Sequence, residues 1–102
     1  MSAALEYIRL NALSGISASD VLSGMKGSRR SAENAFRAAT GHSIVEEIQA
    51  VRLVEVKRLL SNPMLKISAI AARAGYRSEN FLTRLFKRET GMTPSEWRRS
   101  NT

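Results

Sequence analysis

The sequence has no cysteine among its 102 residues and only one histidine, His42. It therefore cannot form a disulfide, a cysteine-based metal site or a thiol active site. His42 follows a glycine and is expected to lie in a loop. No serine–histidine–aspartate set, close carboxylate pair or phosphate-binding glycine loop stands out, so we expect neither enzymatic activity nor a cofactor.

Long apolar runs are also missing. None approaches the roughly 18 to 20 residues that a membrane-spanning helix needs. The N-terminal segment, MSAALEYIRL, contains a glutamate and has neither a basic start nor a small-residue cleavage site. We therefore expect no signal peptide and a cytoplasmic bacterial protein, or a piece of one.

Acidic residues are scarce in the second half of the chain. Residues 1–51 carry five basic and five acidic residues, whereas residues 52–102 carry eleven basic and four acidic ones, which gives the net charge of +7. A basic excess of this size favours a polyanionic partner, with most phosphate attraction in the second half. The alternative is a solvated basic face that serves solubility.

The chain contains an internal repeat. SRRSAENAFRAATG begins at Ser28, and SENFLTRLFKRETG begins fifty residues later at Ser78. Each copy opens with a serine that can cap a helix, carries an aromatic and basic residues on different stripes, and stops at a glycine. Each also follows a short apolar segment and a tight turn. This order is typical of a helix-turn-helix unit, whose second helix can enter the major groove of DNA.

Apolar spacing and capping signals predict an all-α fold with about seven helices and no strands. Capping boxes begin at Ser17, Ser43 and Thr93, and Asn62-Pro63 ends a long helix. The predicted helices span residues 3–12, 17–24, 28–40, 43–61, 67–74, 78–90 and 93–99. The predicted inward residues of the two repeat helices and the last helix are Ala32, Ala35, Phe36, Ala39, Leu82, Leu85, Phe86 and Trp97.

These helices predict one DNA-binding domain over residues 1–102 with two helix-turn-helix subdomains. The first lobe covers about residues 3–42, the linker helix about 43–61 and the second lobe about 64–100. The eighteen residues from Ile44 to Ser61 make a rod of roughly 27 Å. Successive major-groove faces on one side of DNA are about 34 Å apart. The rod can therefore place the two second helices about one DNA turn apart.

The segment Ile67 to Arg98, ISAIAARAGYRSENFLTRLFKRETGMTPSEWR, resembles the signature region of AraC/XylS-type transcription regulators. The linker also fits the Arg-Leu, Ala and Leu-Leu pattern of that family, with Val56 at the Ala position, and the resemblance covers about residues 4–100. The matching positions are Ile67, Ile70-Ala71, Gly75-Tyr76, Phe86-Lys87, Gly91, Pro94 and Trp97-Arg98, with Arg52-Leu53, Val56 and Leu59-Leu60 upstream.

The resemblance implies sequence-specific binding to double-stranded DNA by the C-terminal portion of a longer bacterial regulator. Family members normally pair this domain with an N-terminal effector or dimerisation domain, and they act by contacting RNA polymerase or blocking it. The stretch from Tyr7 to Ser28 is similar to the xylose-operon regulator branch. That similarity implies a sugar effector, sensed through a domain absent from this chain.

Two segments depart from the family pattern, the first turn and the first repeat helix. The first turn reads Lys26-Gly27, where relatives usually have Gly and then an apolar residue. The first repeat helix has Asn34 where many members have Arg, and small alanines at positions 32 and 35 where they have bulkier residues. The first unit is therefore expected to pack more loosely or to read a different base pattern.

The outward residues of the first repeat helix are expected to be Arg29, Arg30, Glu33, Asn34 and Arg37. Arg30 suits bidentate bonds to guanine, Asn34 suits adenine, and Glu33 can accept a hydrogen bond from cytosine. Arg29 and Arg37 suit phosphates. The alternative for each is a solvated helix face.

The outward residues of the second repeat helix are expected to be Glu79, Asn80, Thr83, Arg84 and Lys87. Asn80 and Arg84 lie one turn apart on one face and suit neighbouring base pairs. Thr83 suits a phosphate oxygen or a thymine methyl group, and Arg77, in the preceding turn, suits a phosphate. Phe81 suits either packing or an apolar contact with DNA.

Two competing functions remain open at this point. A helical protein-interaction module with a basic face would not need Asn80 or Arg84 for DNA binding. A nonspecific nucleic-acid binder would show affinity that depends on salt but not on sequence. The repeat with its rigid spacer favours sequence-specific DNA binding over both.

Overall fold

The computed structural model describes residues 2–101, where seven α-helices form and no strand does. The all-α class predicted from the sequence is confirmed. A 3-10 turn, Ala12–Ser14, extends the first helix. Within residues 2–101 no helix combines the length and the hydrophobicity that crossing a bilayer demands. The helices are α1 (Ser2–Asn11), α2 (Ala18–Leu22), α3 (Arg29–Thr40), α4 (Ile44–Leu60), α5 (Ile67–Arg73), α6 (Glu79–Thr90) and α7 (Pro94–Ser100).

Capping boxes fix where three of the helices begin. The Ser43 N–H donates to the Glu46 carboxylate at 2.7 Å, and the Glu46 N–H donates to the Ser43 hydroxyl at 3.1 Å. These bonds satisfy N–H groups that have no partner inside a helix. The Ser43 backbone bond is also the main reason why the pKa of Glu46 lies below its usual value. The predicted boxes at Ser17–Asp20 and Thr93–Glu96 form as well.

The internal repeat is reproduced in the hydrogen bonds that end α3 and α6. The hydroxyls of Thr40 and Thr90 donate to the carbonyl four residues back, at 2.8 and 2.7 Å. Gly41 and Gly91 follow with φ values of +85° and +82°. Glycine enters this left-handed region without the steric cost that other residues meet. The same device therefore stops both helices and directs the chain into the next one.

The helices enclose two hydrophobic cores along one elongated body of 45 × 22 × 21 Å. Helix α4 contributes its first turns to the first core and its last turns to the second, so it supports both. The first core contains Ala4, Ile8, Ala12, Val21, Phe36, Ile44 and Ile48. The second core contains Val56, Leu59, Leu60, Ile70, Ala71, Ala74, Tyr76, Leu82, Leu85 and Phe86.

Between the two cores, α4 buries the charged side chain of Arg52, which is only 8% exposed. Its Nε donates to the Ala12 carbonyl at 2.7 Å, and an Nη donates to the Ile16 carbonyl at 2.8 Å. Its guanidinium carbon lies 5.7 Å from the centroid of the Tyr76 ring. Desolvation lowers the pKa of Arg52 from its usual value. Its partners compensate that loss of hydration, because charge-assisted bonds and cation–π contacts are strong in a buried setting.

A second contact between the two halves is made by backbone alone. Gly75 has a φ of +90°, and a Cβ atom at this position would lie 2.8 Å from the Ala12 carbonyl oxygen and 3.1 Å from the Gly15 nitrogen. A side chain at Gly75 would therefore overlap the turn that ends α1. Glycine allows the turn between α5 and α6 to rest directly on that turn.

The C-terminal helix is attached to the end of α4. Arg98 donates to the Leu60 carbonyl at 3.2 Å and to the Leu65 carbonyl at 2.8 Å, which satisfies groups at and beyond the end of α4. Trp97 packs against the second core as predicted, with its ring edge-on to Phe86 at 5.6 Å between centroids. These contacts hold the second core together around α6.

Several predicted details are wrong. Ala35 and Ala39 are exposed, and α3 buries only Ala32 and Phe36. Leu85, the repeat equivalent of Ala35, is buried because a leucine side chain reaches its core, whereas an alanine methyl group does not. Helix α1 ends one residue early because the chain tightens into the 3-10 turn, and α2 ends at position 22 instead of 24.

Two glycine substitutions separate backbone strain from the contact between the halves. Gly41→Ala places a methyl group in open space at a left-handed position, so it should cost about 1–2 kcal/mol. Gly75→Ala meets the same strain and also backbone atoms of the facing turn, so it should cost roughly 1–3 kcal/mol more. Chemical denaturation of both variants measures the difference. Equal destabilisation would contradict a tight contact at Gly75.

Candidate nucleic-acid interface

The helices α3 and α6 each have twelve residues, and each presents a polar face opposite its buried stripe. Their first N–H groups are capped in the same way. The Ser28 and Ser78 hydroxyls accept from the N–H three residues on, both at 3.1 Å. Nine of the eleven predicted site residues are exposed, and only Glu33 and Thr83 are half-buried. The polar faces are therefore available for a partner.

On α3, two of the predicted base-reading residues are unengaged. Arg30 and Asn34 lie one turn apart and are exposed. Their side chains form no hydrogen bond or ion pair with residues 2–101. Arg29 donates weakly to the Ser19 hydroxyl at 3.4 Å, and Arg37 lies 3.9 Å from the Glu46 carboxylate with both side chains largely exposed. These exposed contacts are weak enough to exchange for phosphate contacts.

On α6, the matching pair is Asn80 and Arg84. Both are exposed, one turn apart, and neither is engaged by another described residue. Glu79 and Lys87 are exposed at the two ends of this face. The half-buried Thr83 lies between them along the helix. The arrangement has side chains of the types that can hydrogen-bond base edges in the middle and a cation towards the C-terminal end.

The turn that leads into α6 combines an exposed cation with a buried ring. Arg77 is exposed, whereas Tyr76 is 6% exposed and packs against Phe81 with 6.2 Å between the ring centroids. Phe81 is still 39% exposed. It therefore packs on one side and leaves its other side open, so both of its predicted roles remain compatible with its position.

A cleft of about 690 Å³ lies between the two cores. Arg77 and Phe81 line it together with Gln49 and Arg52 from α4. The predicted site residues of α3 do not line this cleft. The structure thus brings Arg77 close to the junction between the cores, while the outward residues of α3 stay on their own helix.

Sequence reasoning missed Arg52, although a signal for it was present. Positions 44, 48, 52, 56 and 60 of α4 follow one another at intervals of four, and all five are buried. An arginine inside such a stripe is expected to be buried with partners. His42, expected in a loop, lies between α3 and α4 and pairs with Glu47. No group of three potential metal ligands occurs among residues 2–101.

The chain is similar to known transcription regulators. A family model described as a helix-turn-helix domain matches residues 23–100. The transcriptional activator RhaR of Salmonella arizonae is 41% identical over 71 residues, which are 70% of this chain and 25% of that protein. This chain thus spans about a quarter of the length of the curated relatives it matches.

Solved structures share the whole arrangement. The structure of the xylose-binding transcription activator XylR superposes with a TM-score of 0.77 at 33% identity, covering 97% of this chain and 26% of that one. The DNA-binding domain of the global transcriptional factor AdpA, solved with a target DNA, gives a TM-score of 0.81 at 25% identity, covering 94% of this chain and 90% of that one.

The tyrosine at the start of this interface should titrate abnormally. Burial raises the pKa of Tyr76 to about 12, against an opposing effect of nearby Arg52. Because the folded pKa lies above the unfolded value of 10.0, the stabilising contribution is complete below pH 10.0 and is lost as the pH rises towards 12. In a Tyr7→Phe variant, ultraviolet absorbance should show a single tyrosine titrating near 12. Tyr76→Phe should remove this part of the alkaline destabilisation, and a midpoint near 10 would mean that the ring is solvated.

Proposed function

This chain belongs to the AraC/XylS-type family of helix-turn-helix transcription regulators, as a DNA-binding domain, and we propose that it reads double-stranded DNA with α3 and α6 in adjacent major-groove segments. The members of this family are regulators of transcription and not enzymes.

The observation that carries the proposal is the equivalence of α3 and α6. Both have the same length, the same serine cap and the same threonine–glycine ending, and both expose an asparagine–arginine face. Each shares a hydrophobic core with α4, whose 17 residues span about 26 Å. Two equivalent helices on one rigid support suit two major-groove segments about 34 Å apart along one side of DNA.

We assign base contacts to the unengaged pairs. On α3, Arg30 would bond guanine and Asn34 adenine, while Glu33 would accept from cytosine at the edge of the face. On α6, Asn80 and Arg84 would read neighbouring base pairs in the same way. Their exposure and their lack of partners among the described residues support these roles.

The remaining cations are assigned to the phosphate backbone. Arg29 and Arg37 flank the base-reading pair of α3, and Arg77 and Lys87 flank that of α6. Such contacts position a protein on the duplex without reading sequence. Thr83 would meet a phosphate oxygen or a thymine methyl group, and Glu79, at the first position of α6, would face the groove edge.

We further propose partners for the regulator as a whole. RhaR is named an activator, and an activator of this family would contact RNA polymerase. XylR is described as xylose-binding, which supports a sugar as the effector, bound outside this domain. A chromosomal target would place the regulator in the bacterial cytoplasm.

Selection of bound duplexes from a random pool tests the two-helix mode. The chain should select two blocks of preferred bases about one helical turn apart. Arg30→Ala should relax one block and Arg84→Ala the other, each costing about 1–3 kcal/mol at its position. Arg58→Ala is a matched control, because Arg58 lies on α4 and its side chain pairs, within residues 2–101, with Glu55 alone.

The outcomes separate the competing functions. If only the Arg84 block emerges, α3 positions the domain and does not read bases. If no block emerges and binding falls with salt alone, the domain binds nucleic acid nonspecifically. Failure to bind DNA under any condition would favour an acidic protein partner.

The phosphate assignments predict a distinct signature. Lys87→Gln should lower the slope of the logarithm of affinity against the logarithm of salt concentration by about one, because one fewer counterion is released. The selected base preferences should stay the same. A changed motif with an unchanged slope would instead assign Lys87 to base reading.

A further inference from the structure

We infer that Arg52 determines the spacing between the two DNA segments that this domain accepts, a role that rests on the proposed two-helix mode. Arg52 is 8% exposed, so it is too deeply buried to read a base itself. It would act as a positioning residue, by fixing the first core relative to the second. Its partners on the two sides are the basis of the inference.

Towards the first core, the guanidinium holds both ends of a short loop. The Ala12 carbonyl lies before Gly15 and the Ile16 carbonyl after it, and Arg52 donates to both at 2.7 and 2.8 Å. This loop joins the extension of α1 to the start of α2. Because a guanidinium is planar and its donors form a fixed fork, two acceptors held at once define both the distance and the orientation of the loop.

Towards the second core, the same side chain meets the turn that leads into α6. Its guanidinium carbon lies 5.7 Å from the Tyr76 ring centroid, and the Tyr76 hydroxyl lies 3.4 Å from the Gln49 side-chain oxygen on α4. Gly75 rests its backbone on the loop that Arg52 holds. Tyr76 precedes the α6 cap by two residues. The start of α6 is thereby tied to the start of α2 through one arginine.

The consequence for DNA follows from helical geometry. Without the Arg52 bonds the two cores would be joined by α4 and by the van der Waals contact of the Gly75 backbone. Bending or twisting of α4 would then let α3 and α6 adjust to different operators. With the Arg52 bonds, their separation and relative angle are fixed. One extra base pair moves one block by about 3.4 Å and rotates it by about 35°. A fixed pair of helices cannot follow this shift and loses the contacts of one helix.

The test compares affinity for duplexes that carry the two selected blocks at the preferred spacing and at one base pair longer or shorter. The wild-type chain should lose about tenfold or more on either change, since one bidentate base contact is worth that much. Arg52→Met keeps an apolar side chain of similar length and removes the guanidinium. The affinity that this variant loses on a change of spacing should therefore be only a few-fold. The preferred bases within each block should not change. Arg58→Met, exposed on the same helix, should behave like the wild-type chain.

A second experiment measures the distance between α3 and α6 in the absence of DNA. The absence of cysteine allows spin labels to be placed at Ala38→Cys and Arg88→Cys, equivalent exposed positions of α3 and α6. Double electron–electron resonance should give one narrow distribution of label-to-label distances when Arg52 is present and a broader one in Arg52→Met. Should Arg52→Met fail to melt cooperatively, Arg52→Lys serves in its place, because it keeps the charge but cannot hold both carbonyls.

The results separate the spacing role of Arg52 from the two-helix mode of DNA binding. A wild-type spacing penalty that persists unchanged in the variant, or a distance distribution that stays narrow, overturns the role of Arg52. A wild-type chain that selects two blocks but is indifferent to their spacing overturns the spacing role and leaves the two-helix mode standing, whereas the absence of a second block rejects the two-helix mode itself. The distance distributions would then still show whether Arg52 holds the two cores together.

Discussion

The buried guanidinium of Arg52 lies where the two halves of this domain meet, and it contacts both of them. Neither half is large: each core is built from a few short helices, and cores of this size are marginal when isolated. Burying a cation between them costs hydration, which bonds to the Ala12 and Ile16 carbonyls and the Tyr76 ring must offset. Arg52 stabilises the junction only while the carbonyls of the first half and the Tyr76 ring of the second half are both in place. Folding of the two halves is therefore expected to be coupled through this residue.

Much of the fold could be predicted from the sequence because the residues that begin and end each helix lie next to one another in the chain. A capping box such as Ser43–Glu46 satisfies backbone donors with side chains three residues apart, so the sequence alone identifies it. The same holds for Gly41 and Gly91, whose left-handed conformation ends a helix whatever surrounds it. The outward faces of α3 and α6 were predicted from these boundaries and from the apolar stripe on the opposite side of each helix. Eleven site residues were predicted on these helices and on the turn before α6, and nine of them are exposed.

What the sequence could not reveal depends on contacts between distant segments. Whether Ala35 is buried depends on how closely another helix approaches it, which its own neighbours do not encode. Gly75 was identified as a position that matches the family pattern, and its close approach to Ala12 depends on how the two halves pack. Arg52 lay at a family position without an assigned role, since its acceptors are 40 and 36 residues away along the chain. Local patterns thus defined the two units, and tertiary packing defined their relationship.

Helix α4 is both the helix that completes the first core and the bridge to the second. A continuous helix cannot be lengthened gradually: one inserted residue adds about 1.5 Å and turns everything beyond it by about 100°. Relatives that share this architecture can therefore diversify the bases they prefer by ordinary surface substitution. The geometry between their two reading helices is far harder to alter, because no single insertion gives a small change. Over evolution, operators recognised by such domains should drift readily in sequence and seldom in layout.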